Sequence, residues 1–180
     1  KQFENGICYS IYEKLGAHPV KIDGVSGVYF AVWAPNAIRV SVVGNFNNWD
    51  GRAYQMNLLE SGIYELFIPG VRAGDIYKYE IKARGGLTYL KSDPYANAAQ
   101  LRPNNASVVF DLGKYAWQDE NWRKKRGVTQ GDKAPISVYE VHLGSWKKPD
   151  DGREFYNYRE IAPMLASYVK ELGYTHVELM

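Results

Sequence analysis

The 180-residue sequence has little that could anchor it in a membrane or crosslink it. Its longest uninterrupted apolar run, Val28 to Ala34, is far shorter than the ~20 residues that a spanning helix needs. The N-terminus also lacks the long apolar stretch of a signal peptide. Cys8 is the single cysteine, so an internal disulfide and a cysteine-based zinc site are excluded. We therefore expect no membrane insertion or secretion, and a reducing, cytoplasmic location.

The sequence also lacks an excess of either charge and lacks nucleotide-binding motifs. Lys and Arg number 22 against 20 Asp and Glu, and the net charge of +2 provides no field that would attract a polyanion. The basic run from Arg123 to Arg126 follows acidic residues and is interpreted as a solvated loop. No nucleophile elbow, P-loop or GxGxxG motif occurs, so phosphate binding has no support. Nucleic-acid partners and cofactors are not expected.

Aromatic residues, in contrast, are abundant. The chain has 15 Tyr, 6 Phe and 5 Trp, and many of them lie in turn-rich segments where packing of a core alone would not require Trp or Tyr. Hydrophobic residues make up 46% of the chain, enough for a buried core. Exposed aromatic surface is the first indication of a binding function.

Hydrophobic periodicity divides the chain into four segments. Residues 1–24 are predicted to be a lead-in with a short helix, because apolar residues recur four apart from Phe3 to Leu15. Residues 25–112 alternate with a period of two, as in Val28, Phe30 and Val32, or Ile38, Val40 and Val42, or Tyr77, Tyr79 and Ile81. Frequent turn signals separate about seven short strands, which is typical of an antiparallel β-sandwich.

A linker and a different fold class are predicted after the sandwich. The periodicity disappears over residues 113–134, which we interpret as a linker. In residues 135–180, a strand over 136–143 precedes a helix over 158–172 and a second strand over 175–180. A strand–helix–strand unit predicts parallel pairing. Such a unit cannot cover both faces of its own sheet, so it indicates part of a larger α/β domain.

The segment from Gly44 to Gly51 is the main candidate for chemistry. It places the Trp49 ring beside several amide side chains, Asn48 among them, on a loop between two strands. A pyranose offers an apolar face to an aromatic ring, and its hydroxyls need paired donors and acceptors. An equally weighted alternative is that Trp49 plugs the end of the sandwich and the Asn residues only form turns. Lys78 is expected on the outer face of its strand, where lysines usually serve solubility.

A second cluster combines histidines and carboxylates. Glu140 and His142 share one strand face, and His176 and Glu178 share a face of the next strand. They could converge as metal ligands or acid–base partners. A hydrogen-bonded network inside a barrel or at its mouth is the more common arrangement, and neither strand carries an HExxH motif. We favour the network and expect no metal site.

Several motifs together carry a family resemblance. They are Phe30 to Asn36 (FAVWAPN), Val42 to Gly51 (VVGNFNNWDG), Tyr77 to Ile81 (YKYEI) and Tyr139 to Trp146 (YEVHLGSW). Over nearly the whole chain, the sequence resembles the N-terminal part of bacterial 1,4-α-glucan (glycogen) branching enzymes. The resemblance implies an all-β immunoglobulin-like sandwich of carbohydrate-binding family 48. It also implies that residues 135–180 are the first strand–helix–strand of a truncated (β/α)8 barrel.

The resemblance also implies a reaction. Members of the family cleave α-1,4 glucan chains and transfer them to a 6-hydroxyl, forming α-1,6 branches in glycogen. The reaction is a retaining double displacement by an Asp nucleophile and a Glu acid–base. In the family these carboxylates follow barrel strands four, five and seven. We therefore expect no catalytic residue among those present, and no activity from these residues alone. The implied partners are glycogen, amylose, maltooligosaccharides and the rest of the barrel.

By resemblance, Trp49 and Lys78 fall on positions that stack against and hydrogen-bond glucan in kinase-type modules. The second stacking position of those modules falls near Leu90, with Tyr89 beside it, and a downstream polar loop aligns with Asn104 and Asn105. The predicted glucan-binding residues are thus Trp49, Lys78, Asn48, Tyr89, Leu90 and Asn104. The alternative is that the sandwich serves as a spacer on the barrel.

Two other functions compete with a branching enzyme. A stand-alone glucan-binding or regulatory module would need only the sandwich and leaves residues 135–180 unexplained. A debranching or trehalose-forming relative is disfavoured by the segment from Leu143 to Trp146, because such relatives typically differ after the shared Tyr-Glu-Val-His.

Overall fold

The computed structural model describes residues 3–129, 131 and 133–180. Residues 1 and 2 of the predicted lead-in, and residues 130 and 132 of the predicted linker, lie outside the described residues. The chain divides into two compact units, Lys1–Ala116 and Trp117–Met180. Among the described residues, no helix is both long and apolar enough to span a membrane.

The first unit is built from two antiparallel sheets. Sheet A has four strands in the order β1-β2-β5-β4, and sheet B has five, in the order β3-β6-β9-β8 with β7 also paired to β6. The strands described in this unit are β1 (Gly16–Ile22), β2 (Val25–Trp33), β3 (Ala37–Gly44), β4 (Asn57–Leu58), β5 (Ile63–Pro69), β6 (Ile76–Ala83), β7 (Thr88–Lys91), β8 (Ala98–Ala99) and β9 (Ser107–Val108).

The core of this unit lies between the two sheets. Alternate residues of each strand point inward, because successive side chains of a strand leave on opposite faces. Phe30 of β2 and Tyr77 of β6 are fully buried, with ring centroids 5.0 Å apart. Burying such side chains stabilises the fold by about 1.5–3 kcal/mol each. The predicted period-two strands at Val28, Phe30 and Val32 and at Tyr77 and Tyr79 are thereby confirmed, and all five residues belong to one core cluster.

One predicted set of face-sharing residues is wrong. Ile38 was expected on the same face as Val40 and Val42, but its side chain is 57% exposed whereas both valines are fully buried. The register of β3 against β6 shifts between Ala37 and Arg39, so Ile38 is the extra residue of a β-bulge. A bulge leaves that residue unpaired and turns it away from the regular alternation.

The helix predicted over 3–15 is also wrong. The described part of this segment forms only a 3-10 helix, Ile11–Glu13, and Gly6 has a φ of 69° that interrupts a helix. The apolar residues instead cover the outer face of sheet A. Phe3 meets Trp33 edge-to-face at 5.7 Å, and Leu15 is buried in a cluster with sheet A residues. The sheet, rather than the helical period, thus explains why these positions are apolar.

The stretch directly after this segment forms a strand that the sequence did not reveal. Residues 16–22, which we assigned to the lead-in, are β1 and pair along their whole length with β2. Lys14, just before β1, donates to Glu65 of β5 at 2.7 Å. The N-terminal segment is therefore an integral part of sheet A and its cover.

The second unit contains α1 (Glu120–Thr129), β10 (Val138–Val141), α2 (Leu143–Trp146), α3 (Tyr158–Glu171) and β11 (His176–Leu179). As predicted, β10 and β11 pair in parallel. The predicted helix over 158–172 is confirmed. It begins with a capping box in which the Asn157 side chain accepts from the Glu160 N–H at 3.0 Å and Glu160 accepts from the Asn157 N–H at 2.9 Å. Helix α1 lies inside the predicted linker, residues 113–134. The predicted boundaries between the four segments stay predictions.

Candidate functional site

The loop after β3 is held rigidly by the side chain of Asn47. Its Oδ1 accepts a hydrogen bond from the Gly44 N–H at 2.9 Å. Its Nδ2 donates to the carbonyl oxygens of Val42 at 3.0 Å and Asp50 at 3.1 Å. One amide therefore ties the start of the loop to its end. The amino-acid sequence alone does not distinguish Asn47 from its neighbours, although an Asn at a turn is the type of residue that bonds nearby backbone.

Two aromatic residues of this loop point in different directions. Phe46 packs against the core, with ring centroids 6.5 Å from Phe30 and 6.0 Å from Tyr54. Trp49 is only half-buried, and its Nε1 donates to Oδ1 of the exposed Asn45 at 3.0 Å. Phe46 thus fills the place that one sequence interpretation gave to Trp49. The Trp49 indole is left at the surface with a fixed orientation.

The backbone that presents Trp49 is unusual. Asn48 has a φ of 52° and Trp49 a φ of 61°, so two consecutive non-glycine residues are left-handed. Asn tolerates this conformation, whereas for Trp49 it costs of order 1–3 kcal/mol and persists only where the surroundings enforce it. Here the Trp49 N–H donates to the Gly44 carbonyl at 3.0 Å, which closes the loop. The Trp49 indole is thus held at the surface by a backbone conformation that its own side chain disfavours.

The charged residues of the loop neutralise each other. Arg52 donates to both carboxylate oxygens of Asp50, with Nε to Oδ1 at 2.9 Å and an NH2 group to Oδ2 at 2.7 Å. The Arg52 guanidinium holds the pKa of Asp50 down at about 2. The loop therefore presents little net charge to a ligand.

Lys78 and Leu90 lie on the outer face of sheet B. Lys78 is partly exposed between the buried Tyr77 and Tyr79, and its Nζ donates to Asn105 Oδ1 at 2.6 Å. Leu90 of β7 pairs with Glu80 of β6. Since directly paired residues share a face, Leu90 projects on the same side as Lys78.

The remaining predicted site residues, Asn48, Trp49, Tyr89 and Asn104, lie in different parts of the first unit. Lys78 pairs with Val43, so the loop that carries Asn48 and Trp49 starts beside Lys78 at the end of β3. Asn104 lies exposed in the loop before β9. Tyr89 pairs with Ile81 and so leaves β7 on the face opposite to Leu90. The register thus places Lys78 and Leu90 on one face of sheet B and Tyr89 on the other, while Asn48 and Trp49 follow the end of β3.

The histidine and carboxylate cluster has a different arrangement from the convergent one that was considered. The parallel register places Glu140 beside Glu178 and Val138 beside His176. His142 Nδ1 lies 3.0 Å from the Oγ of Ser145, which is three residues further along the chain. Within residues 3–129, 131 and 133–180, no group of three His, Cys, Asp or Glu side chains is positioned to hold a metal.

One family model matches most of the first unit. Residues 14–96 match the family model described as carbohydrate-binding module 48 (isoamylase N-terminal domain). The match contains the loop of Trp49, together with Lys78 and Leu90.

The whole chain has close relatives in one enzyme family. It is 53% identical, over 99% of its length, to the 1,4-alpha-glucan branching enzyme GlgB of Synechococcus sp. (strain JA-3-3Ab). It is 54% identical, again over 99%, to the enzyme of the same name from Gloeobacter violaceus. In both comparisons the chain spans 25% of the relative's length. The chain is thus a relative of the 1,4-alpha-glucan branching enzymes, as its motifs led us to expect.

Solved structures of other proteins superpose on most of this chain. A putative alpha amylase from Salmonella typhimurium superposes with a TM-score of 0.65 at 26% identity, covering 92% of this chain and 24% of that one. The catalytic module of the glycogen-degrading pneumococcal virulence factor SpuA gives 0.66 at 25% identity, covering 99% and 28%. The β-rich fold therefore resembles the N-terminal domains of amylase-family enzymes.

Proposed function

We propose that this chain is the glucan-binding sandwich and the barrel start of a 1,4-α-glucan branching enzyme. The parent enzyme would cleave α-1,4 chains and transfer them to a 6-hydroxyl, forming the α-1,6 branches of glycogen. The sandwich, immunoglobulin-like in its two packed antiparallel sheets, would bind glycogen, amylose or maltooligosaccharides. The observation that carries the binding proposal is the half-buried Trp49 indole, which Asn45 and Asn47 hold at the surface.

The proposed site matches the chemistry of a neutral sugar. The apolar face of a glucose unit would stack on the Trp49 ring, as apolar sugar faces suit aromatic surfaces. The Asn48 amide can donate and accept, and the Lys78 ammonium has three donors, one of them given to Asn105. Leu90 would add apolar contact and Asn104 a polar rim. Tyr89 would reach the same chain only around the edge of β7.

The second unit supports the barrel part of the proposal. A parallel pair, β10 and β11, joined by α3 is the repeating element of a (β/α)8 barrel. The face with Glu140 and Glu178 lies opposite to the residues that pack on α3. The rest of the barrel is the proposed partner of this face. We give no Asp or Glu of this chain a catalytic role, and expect the 180 residues to form no branches on amylose in an iodine-absorbance assay.

Calorimetric titration with maltoheptaose tests the binding proposal. Trp49→Ala should weaken binding by about 1–3 kcal/mol because the stacking surface is lost. Trp122→Ala is the matched control, since Trp122 is half exposed on α1 outside the matched module. Affinity that is unchanged in Trp49→Ala, or reduced equally in Trp122→Ala, would contradict the proposed site.

A further inference from the structure

A cavity open to the surface lies in the first unit, formed by residues that do not belong to the predicted site. Its volume is about 490 Å³, within the range of small-molecule sites. The side chains that matter for recognition are Tyr12, Glu13, His18, Tyr95 and Asn97. They come from three separate segments, namely the N-terminal 3-10 helix, β1 and the turn after Asp93.

Tyr95 is held in place by a buried carboxylate. Its N–H donates to Asp93 Oδ1 at 2.8 Å, and the other oxygen of Asp93 accepts from the Tyr77 hydroxyl at 2.6 Å. Asp93 itself is only 7% exposed, whereas Tyr95 is 39% exposed. The turn is thus anchored in the core while its aromatic ring lines the surface. Preorganisation of this kind reduces the cost of ordering a site when a ligand binds.

Tyr12 approaches the cavity from the N-terminal segment. The residue is 60% exposed and lies within the 3-10 helix Ile11–Glu13. The chain then turns at Gly16, which has a φ of 114°. A Cβ at Gly16 would lie 3.1 Å from the Tyr95 carbonyl oxygen, so the two segments are in close backbone contact. Glycine at this position keeps both tyrosine-bearing segments beside one cavity.

The polar groups of the cavity have fixed hydrogen-bonding roles. His18 Nε2 lies 3.0 Å from the Leu15 carbonyl oxygen, which can only accept, so Nε2 carries the hydrogen. In the neutral form of the ring, Nδ1 is then an acceptor. Glu13 provides a carboxylate acceptor, and the Asn97 amide can both donate and accept. Sugar hydroxyls likewise donate and accept, and two tyrosine faces suit the apolar sides of glucose rings.

We propose that this cavity is a second glucan-binding site, which takes a short segment of an α-1,4-linked chain. The choice of glucan as the ligand rests on the proposed function, whereas the site itself is independent of Trp49. Two sites on one module would allow a long glucan to be held at two points, which raises avidity without any new contact.

The test is calorimetric titration of maltoheptaose into the 180-residue chain with Trp49→Ala already present, so that the first site is removed. Binding should remain in this background. Adding Tyr12→Ala or Tyr95→Ala should weaken it about tenfold, equivalent to ~1.4 kcal/mol. Tyr12→Phe keeps the ring and should weaken binding less than Tyr12→Ala does. Tyr9→Ala is the matched control, because Tyr9 is 88% exposed and lies outside the cavity.

Each outcome decides between the two sites. If Trp49→Ala abolishes binding, the second site is overturned and the Trp49 site stands. If Tyr12→Ala and Tyr95→Ala bind like the background, the second site is overturned, and the comparison of Trp49→Ala with the unmodified chain alone decides the Trp49 site. If Trp49→Ala binds like the unmodified chain while Tyr12→Ala weakens binding, the cavity is supported and the Trp49 site is overturned. If the unmodified chain does not bind maltoheptaose, both are overturned. If Tyr95→Ala fails to fold, Tyr12→Ala decides alone. The Tyr12 side chain is largely exposed, so its removal should leave the fold intact.

Discussion

Tyr77 donates its hydroxyl hydrogen to Asp93 at 2.6 Å in the interior of the first unit. The Tyr79 hydroxyl lies 3.2 Å from the same carboxylate oxygen, and the Asp93 N–H donates to Ser107 Oγ at 2.8 Å. Burial raises the pKa of Asp93 and also the pKa of both tyrosines. The hydrogen bonds oppose this effect on Asp93 without cancelling it.

Asp93 should make the stability of this unit depend on pH. Its pKa in the folded state is raised above the ordinary 3.8. Asp93 therefore binds its proton more tightly in the folded chain than in the unfolded chain. The stabilisation that results is fully present below pH 3.8 and is lost as the pH rises through the raised pKa. In Asp93→Asn this loss should be absent. Urea unfolding across that pH range measures it.

A control for this experiment is Asp23→Asn on the exposed turn before β2, where the left-handed φ of 49° also suits Asn. The difference between the pH profiles of the native chain and Asp93→Asn should not appear for Asp23→Asn. Parallel profiles for all three proteins would show that Asp93 does not titrate in the way described.

Asn47→Ala should loosen the loop that carries Trp49. The variant loses the hydrogen bonds to Gly44, Val42 and Asp50 and leaves their backbone groups partly unsatisfied. We expect the unfolding free energy to fall by about 1–3 kcal/mol. Asn48→Gly is the control, because glycine adopts the left-handed backbone of Asn48 readily. Equal stability of the two variants in urea unfolding would contradict the role of Asn47.

Gly51→Ala should be destabilising for a steric reason. A Cβ at this buried position would collide with the carboxylate of Glu80, which is paired with Arg39. The expected loss in unfolding free energy is about 1 kcal/mol, the low end for overpacked sites, because the Glu80 carboxylate ends a flexible side chain and can shift at the cost of its pairing with Arg39. The loss should be smaller when Gly51→Ala is introduced into a Glu80→Ala background, where the clash is removed.

A matched glycine provides the control. Gly127 lies inside α1, and a Cβ there has no atom within 4 Å. Gly127→Ala should therefore leave stability unchanged or raise it by up to about 1 kcal/mol through helix propensity. A comparable loss in both glycine variants would exclude the clash with Glu80 as the cause.

Glu178→Gln should stabilise the pairing of β10 with β11. Glu140 and Glu178 are direct neighbours in the parallel register, and like charges at such positions repel. Amide exchange in β11 should slow about two- to fivefold, and the difference should shrink in 1 M salt, where screening acts over about 3 Å. Glu154→Gln, in the exposed loop before α3, should have no such effect. Faster exchange in Glu178→Gln would argue against repulsion.

The sequence was sufficient where structure follows from local alternation and failed where partners are distant. Phe30 and Tyr77 could be placed in the core because a strand alternates whatever it pairs with. The bulge at Ile38 could not, since it exists only in the register against β6. The apolar spacing from Phe3 to Leu15 imitated a helix because the outer face of sheet A, not a helix axis, sets it.

The candidate site shows the same division. The composition of the loop indicated sugar binding, but composition could not decide whether Phe46 or Trp49 enters the core. The hydrogen bonds of Asn47 and the left-handed backbone at Asn48 decide that, and both depend on the finished loop. The contact of Lys78 with Asn105 joins residues 27 positions apart and has no local signal.

The core of the first unit extends beyond the matched residues 14–96 at both ends. Val109 is 1% exposed and belongs to the central cluster. Ser107 of β9 accepts a hydrogen bond from the N–H of the buried Asp93. At the other end, Phe3 and Ile11 cover Leu15. If only residues 14–96 were grafted onto another protein, the core would lose Ser107 and Val109 at one end and the residues that cover Leu15 at the other. A transplant of the proposed glucan-binding surface therefore has to include the flanking residues, that is, residues 3–116.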